Sequence, residues 1–233
     1  MKTIVIGIHG FGTNRSKEFI PLKLKCIKEN IEFKTFDLFD LSDNDSDYHK
    51  WIYKADKVVR KYIDNNYNVI LVGFSMGGVI ASFLATYLNI SQLILISPAF
   101  YVIDTDSNIN MYNKIKDMDN HNKIKYINKD KPSIKYLANF INLISKLRQS
   151  IILVKCPITL IYGTKDEIVP NKSINHIKIN YKYNIEYYSI NGGEHELHLT
   201  GRYVNKVLNI ITNCINICIN SNIKGENKNE IIQ

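Results

Sequence analysis

Long apolar runs are missing from this chain. No stretch of its 233 residues approaches the roughly 18 uninterrupted apolar positions that a membrane-spanning helix needs. The most apolar late segment, 203–219, is broken by Asn205, Lys206, Asn209, Thr212, Asn213 and Asn216, and reads as an amphipathic surface helix. Near the start, Gly7, His9 and Gly10 interrupt the first apolar run too early for the core of a signal peptide. Cysteine is scarce as well. Cys26, Cys156, Cys214 and Cys218 form no zinc-binding pair of C-x-x-C motifs, and read as small buried hydrophobes in a reducing, cytoplasmic setting.

Concentrated charge of one sign is also absent. The 30 Lys and Arg residues against 22 Asp and Glu leave a net charge of +8, but the lysines are spread along the chain among Asn, Ile and Tyr. With no basic helix and no basic stretch interleaved with aromatics, no nucleic-acid partner is expected. Cofactor signatures fail in turn. Gly7, Gly10 and Gly12 follow a strand without the spacing of a dinucleotide fingerprint, and Glu194-His195-Glu196-Leu197-His198 lacks the spacing of a zinc helix. Neither cofactor nor metal is expected.

What is present is alternation. Apolar strands are predicted at 3–8, 31–36, 69–72, 92–96, 158–162 and 185–190. Helices are predicted at 17–30, 48–65, 76–88 and 171–180, with a last one from about residue 200. Continuous apolar strands separated by helices imply about six mostly parallel strands with helices on both faces, an α/β fold whose functional groups lie at the strands' carboxyl ends. Residues 1–100 and 151–221 form this single core. Residues 101–150, rich in Lys, Asn and Tyr with short helices near 109–118 and 134–148, break the rhythm and read as a cap inserted over the site. Residues 222–233 are polar and read as a disordered tail.

One turn carries chemistry. The strand 69–72 runs into Gly73-Phe74-Ser75-Met76-Gly77-Gly78 and then a helix, a G-x-S-x-G nucleophile elbow. A serine forced into so tight a strand-to-helix turn needs neighbours without a Cβ two positions either side. The turn exposes Ser75 Oγ and leaves the Met76 N–H at a helix N-terminus, where a developing oxyanion is stabilised. A serine nucleophile also needs a base and a group that orients the base.

His195, on the glycine-relaxed loop after the last strand, is the candidate base, with His198 three residues on as its rival for a capping or surface role. His49, His121 and His176 lie in helical or cap contexts and read as solvated residues. Asp166, in the turn between strand 158–162 and Pro170, is the candidate orienting acid, with Glu167 beside it and Asp104 as a distant alternative. The loop His9-Gly10-Phe11-Gly12 after the first strand places the Phe11 N–H as partner to Met76 in an oxyanion hole, and His9 reads as a hydrogen-bonder that shapes the loop.

With the H-G-x-G loop, the G-x-S-x-G-G elbow, the G-T-x-D-x-x-V-P acid loop and the G-G-x-H loop in that order, residues 3–215 resemble the α/β-hydrolase superfamily. The chain is similar within it to small carboxylesterases and monoacylglycerol-lipase-like serine hydrolases with a short helical cap. The resemblance implies a Ser75 acyl-enzyme, with His195 as acid and base and Asp166 as its orienter. It also implies a trimmed sheet, since larger members place an antiparallel hairpin before the first strand found here. The expected substrate is an ester of a small or medium apolar acyl group, favoured by Phe11, Phe74, Met76 and the tyrosine-rich cap. Thioesterase, lactonase, lipase, amidase or acyltransferase chemistry would use the same residues. An aminopeptidase would need cap carboxylates, for which Asp104, Asp106, Asp117 and Asp119 are available. The reading of a different class is a non-catalytic ligand-binding protein on the same fold. A cap face carrying both apolar residues and lysines would in addition touch a membrane surface.

Overall fold

The computed structural model describes residues 1–12, 15–41, 45–102 and 133–230. Six strands, β1 (Thr3–Ile8), β2 (Phe33–Thr35), β3 (Asn68–Phe74), β4 (Gln92–Ile96), β5 (Ile158–Gly163) and β6 (Ile185–Ile190), form one sheet in the order β2-β1-β3-β4-β5-β6. Every pairing is parallel, with Val5 opposite Ile70 and Leu71 opposite Leu93. All six carboxyl ends therefore open on one edge, and the strand order reverses direction between β1 and β3.

Strand side chains alternate between faces, and here both faces are apolar. Ile4, Ile6, Ile8, Val69, Leu71, Leu93, Leu95 and Leu160 pack on one side. There they meet α2 (Tyr48–Ile63), α3 (Met76–Leu84), α4 (Ile134–Leu147) and α5 (Asn171–Asn180). Val5, Ile70, Val72, Phe74, Ile94, Ile96 and Ile161 pack on the other side against α1 (Ile20–Lys28) and α6 (Val204–Glu230). Among the described residues, no helix is long and apolar enough to cross a membrane.

The differences from the sequence-based elements have local causes. The expected helix over 17–30 divides into a 3-10 turn, Arg15–Phe19, and α1, because Pro21 sits in the first turn of α1, where its fixed φ and missing N–H suit a helix start. Strand β2 is shorter than 31–36 because the Ile31 N–H closes the end of α1 on the Cys26 carbonyl, past Asn30 at φ +57°. Helix α3 stops at Leu84 rather than Leu88, and there the Thr86 hydroxyl donates to the Phe83 carbonyl. Helix α6 begins only after Gly201, held at φ +81°, and continues past residue 222 to Glu230. Of the segment 101–150, residues 103–132 lie outside the described residues, and with them the expected short helix at 109–118, His121 and the four aspartates Asp104, Asp106, Asp117 and Asp119. After α4 a second 3-10 turn, Arg148–Leu153, leads back to β5.

Candidate active site

Ser75 joins β3 to α3 at φ +51°, in the left-handed region that a non-glycine residue occupies only under constraint. The glycines either side supply that constraint. A Cβ on Gly77 would lie 1.9 Å from the Ile8 carbonyl oxygen, and one on Gly73 would lie 2.5 Å from the Gly78 Cα. The elbow is thus wedged directly against the end of β1. The Ser75 N–H donates to the Ile96 carbonyl at 3.0 Å, while its own carbonyl accepts from the Gly78 and Ala99 N–H groups at 3.0 and 3.1 Å. With its backbone pinned on both sides, Ser75 is 6% exposed.

Two strands away, the acid and histidine loops are stitched together. Gly163 comes so near the second loop that a Cβ would meet the Gly193 oxygen at 2.2 Å. The Lys165 N–H donates to that same oxygen at 2.8 Å, and the Gly192 N–H donates to Thr164 Oγ1 at 2.8 Å. These contacts set the side chains in line. His195 Nε2 stands 3.1 Å from Ser75 Oγ, and His195 Nδ1 stands 2.8 Å from Asp166 Oδ2. The other Asp166 oxygen, Oδ1, accepts the Ile168 and Val169 N–H groups at 2.9 and 2.8 Å. Burial opposes the Asp166 charge, but the His195 ring and the two backbone N–H groups outweigh it and hold the carboxyl below its ordinary value. An ionised Asp166 accepts the Nδ1–H of a neutral ring, which leaves the Nε2 lone pair facing the serine hydroxyl. Glu167 is exposed.

At the end of β1, His9 is buried and bridges two loops. Its Nδ1–H donates to the Gly10 carbonyl at 2.7 Å, and its Nε2 accepts the Leu38 N–H at 2.8 Å. Burial pushes its pKa down to about 4, so the ring stays neutral and keeps this tautomer. The Gly10 carbonyl and the Phe11 N–H belong to one trans peptide and point in opposite directions. Anchoring the carbonyl on His9 therefore fixes the direction of the Phe11 N–H. The Met76 N–H is the first of α3 and has no acceptor within the helix.

Three expectations change here. His198 is wholly buried between the Phe19 and Phe74 rings, at 5.5 and 4.5 Å between centroids, rather than at the surface, because the turns after Glu194 fold it inward onto these rings. His176 is also buried, its Nε2 on the Arg148 carbonyl at 2.8 Å, since it lies on the inner face of α5. Phe74 and Met76 belong to the core, which leaves Phe11 as the apolar residue at the site edge among the three. Phe11 stacks on Phe140 of α4 at 4.5 Å, beside the packed rings of Phe39, Trp51 and Tyr136. Phe140 is not legible from sequence, because one aromatic on an apolar helix face looks like any core residue. Among the described residues, no three His, Cys, Asp or Glu side chains gather as they would around a metal ion.

The sequence profile of the family described as serine aminopeptidase, S33, matches residues 45–200, two thirds of the chain. No curated protein sequence matches it. Among solved structures, it is similar to a monoacylglycerol lipase from Paleococcus ferrophilus, at 17% identity and a TM-score of 0.68, covering 91% of this chain and 94% of that one. It is also similar to a soluble variant of monoglyceride lipase from Saccharomyces cerevisiae crystallised with a substrate analogue, at 16% identity and a TM-score of 0.73 over 94% and 87% of the two chains. A third similar structure is of the metagenome-derived lipolytic enzymes LipS and LipT, at 13% identity and a TM-score of 0.75 over 92% and 94%. Likeness at these identities is likeness of fold.

Proposed function

The chain belongs to the serine aminopeptidase S33 family and has the α/β-hydrolase fold, and from that premise we propose that it is a serine hydrolase cleaving carboxylic esters of small to medium apolar acyl groups. One observation carries the reading: the unbroken run from Ser75 Oγ through the His195 ring to Asp166, at 3.1 and 2.8 Å. In this reading His195 Nε2 takes the Ser75 proton as Oγ attacks the acyl carbon. The oxyanion that forms is held by the Phe11 and Met76 N–H groups. The imidazolium, balanced by Asp166, then gives its proton to the leaving alkoxide and an acyl-Ser75 remains. Water attacks that ester with His195 again as base, which releases the acid and restores the hydroxyl.

An ester substrate is favoured by the lipases and esterase-type enzymes among the similar structures, and an apolar acyl group by the stacked Phe11 and Phe140 rings. Helix α4 acts as part of a cap in this reading, since it brings Phe140 onto the oxyanion loop. A fluorophosphonate probe is expected to label the wild type at mildly alkaline pH and not Ser75→Ala. An unlabelled wild type, or equal labelling of the variant, would sink the mechanism. A series of p-nitrophenyl esters set beside aminoacyl p-nitroanilides then reads the substrate class. Faster turnover of the anilides would favour an aminopeptidase, and rates independent of acyl length would count against an apolar acyl pocket.

A further inference from the structure

Glu18 is an acid where the fold has no evident use for one. It sits in the 3-10 turn Arg15–Phe19 and is only 3% exposed. That turn is anchored at both ends. Phe19 is buried against Phe33, and Ser16 donates through both its N–H and its hydroxyl to Asp37 Oδ1. The anchoring aims the Glu18 carboxyl at the oxyanion loop, where Oε2 accepts the Gly10 N–H at 2.8 Å. Gly10 is thereby held from both sides, its N–H by Glu18 and its carbonyl by His9 Nδ1–H. It also lies against the serine: a Cβ on Gly10 would come within 3.1 Å of both Ser75 Cβ and the Phe74 ring.

We propose that Glu18 is a positioning residue for the oxyanion hole: by gripping the Gly10 N–H it fixes the following peptide, so that the Phe11 N–H stays aimed at the oxygen developing beside Ser75. The inference rests on Ser75 acting as the nucleophile. Two contacts on adjacent peptide groups, one to Glu18 and one to His9, leave Gly10 neither rotation about its φ nor displacement away from the elbow. Preorganised donors of this kind contribute because they need no rearrangement as charge develops. Burial, with Glu196 as the nearby like charge, raises the Glu18 pKa to about 7 against the lowering effect of the Gly10 N–H. A carbonyl oxygen at this position would therefore serve as well as a carboxylate, and the amide of glutamine supplies one.

The test compares wild type, Glu18→Ala and Glu18→Gln. Active sites are titrated with a fluorophosphonate, kcat is expressed per titrated site beside KM, and exchange of the Gly10 and Phe11 amide hydrogens is followed by NMR. In Glu18→Ala, kcat per site is expected to fall roughly 10- to 100-fold with KM changed by less than about threefold, and the Gly10 amide to exchange at least about tenfold faster. Glu18→Gln is expected to restore kcat to within about threefold of wild type and to return slow exchange. If the alanine variant loses only thermal stability or titratable fraction while kcat per site is kept, Glu18 is merely structural and the proposal fails. Should that variant not fold, a folded glutamine variant with kcat per site about tenfold down or more also overturns it. An unlabelled wild type whose Gly10 amide still responds to Glu18→Ala would overturn the hydrolase reading and leave the grip on Gly10 standing. A labelled wild type with unchanged exchange would overturn the grip alone.

Discussion

His195 has its ring nitrogens at Ser75 and Asp166, whereas His198, three residues later, is wholly buried with neither nitrogen hydrogen-bonded. Burial pushes the His198 pKa down to about 3, so this ring stays uncharged and takes no proton from a hydroxyl near neutral pH. His195→Gln is accordingly expected to lower kcat by about ten-thousand-fold or more, and His198→Gln by less than about tenfold, in steady-state ester hydrolysis. Activity that survives the first substitution and not the second would transfer the base to His198. The positions of Ser75, Asp166 and His195 were legible because each follows a strand, and parallel strands bring such turns to one edge. The burial of His198 was not legible. The sequence marks the loop as glycine-rich but carries no sign of which of its histidines folds inward. Glu18 was illegible for a related reason, since an acid beside a lysine in a helical stretch reads as solvated until tertiary packing covers it.

At the scale of elements, α4 is, among the described residues of the 101–150 segment, a helix that packs onto the loop after β1. Phe140 is 7% exposed, and its stack on Phe11 joins this helix to the loop that carries a candidate oxyanion donor. Removing the ring deletes both the buried apolar surface and the stack on Phe11. Phe140→Ala is expected to cost roughly 3 kcal/mol of stability, seen as a lowered urea midpoint with an unchanged m-value. In the same variant the dependence of kcat/KM on acyl length should flatten. A variant as stable as wild type with the same length profile would place the acyl group elsewhere. The extent of α4 was legible from its helical periodicity, as were the bounds of β4 and β6 from their apolar runs. What periodicity could not supply was the division at Pro21 and the early end of α3, where a ring without an N–H and a threonine hydroxyl decide matters within one turn.

For the whole molecule, three buried titrating groups set a pH dependence whose sign can be worked out. His9 and His198 have folded pKa values of about 4 and about 3 against an ordinary 6.5, and Glu18 has about 7 against 4.5. Between about pH 4.5 and 6.5 the unfolded chain holds two protons on these histidines that the folded chain lacks, while the folded chain holds one on Glu18 that the unfolded chain lacks. The difference is one proton, so stability should rise by about 1.4 kcal/mol per pH unit across that window. From about 6.5 to 7 the histidine contribution is complete and only Glu18 still titrates, now with the opposite sign, so stability should pass a maximum near pH 6.5 and then dip. Glu18→Gln removes the opposing proton. Its slope below the maximum should double to about 2.7 kcal/mol per pH unit, and the dip above it should vanish. Urea unfolding of both proteins across this range measures the two slopes. Equal slopes would mean that Glu18 is ionised in the folded protein throughout. A wild-type profile that instead falls by about 1.4 kcal/mol per pH unit across the window, with a flat one in Glu18→Gln, would mean that the two buried histidines take up protons without unfolding the chain, and that the His9 bridge between Gly10 and Leu38 does not depend on a neutral ring.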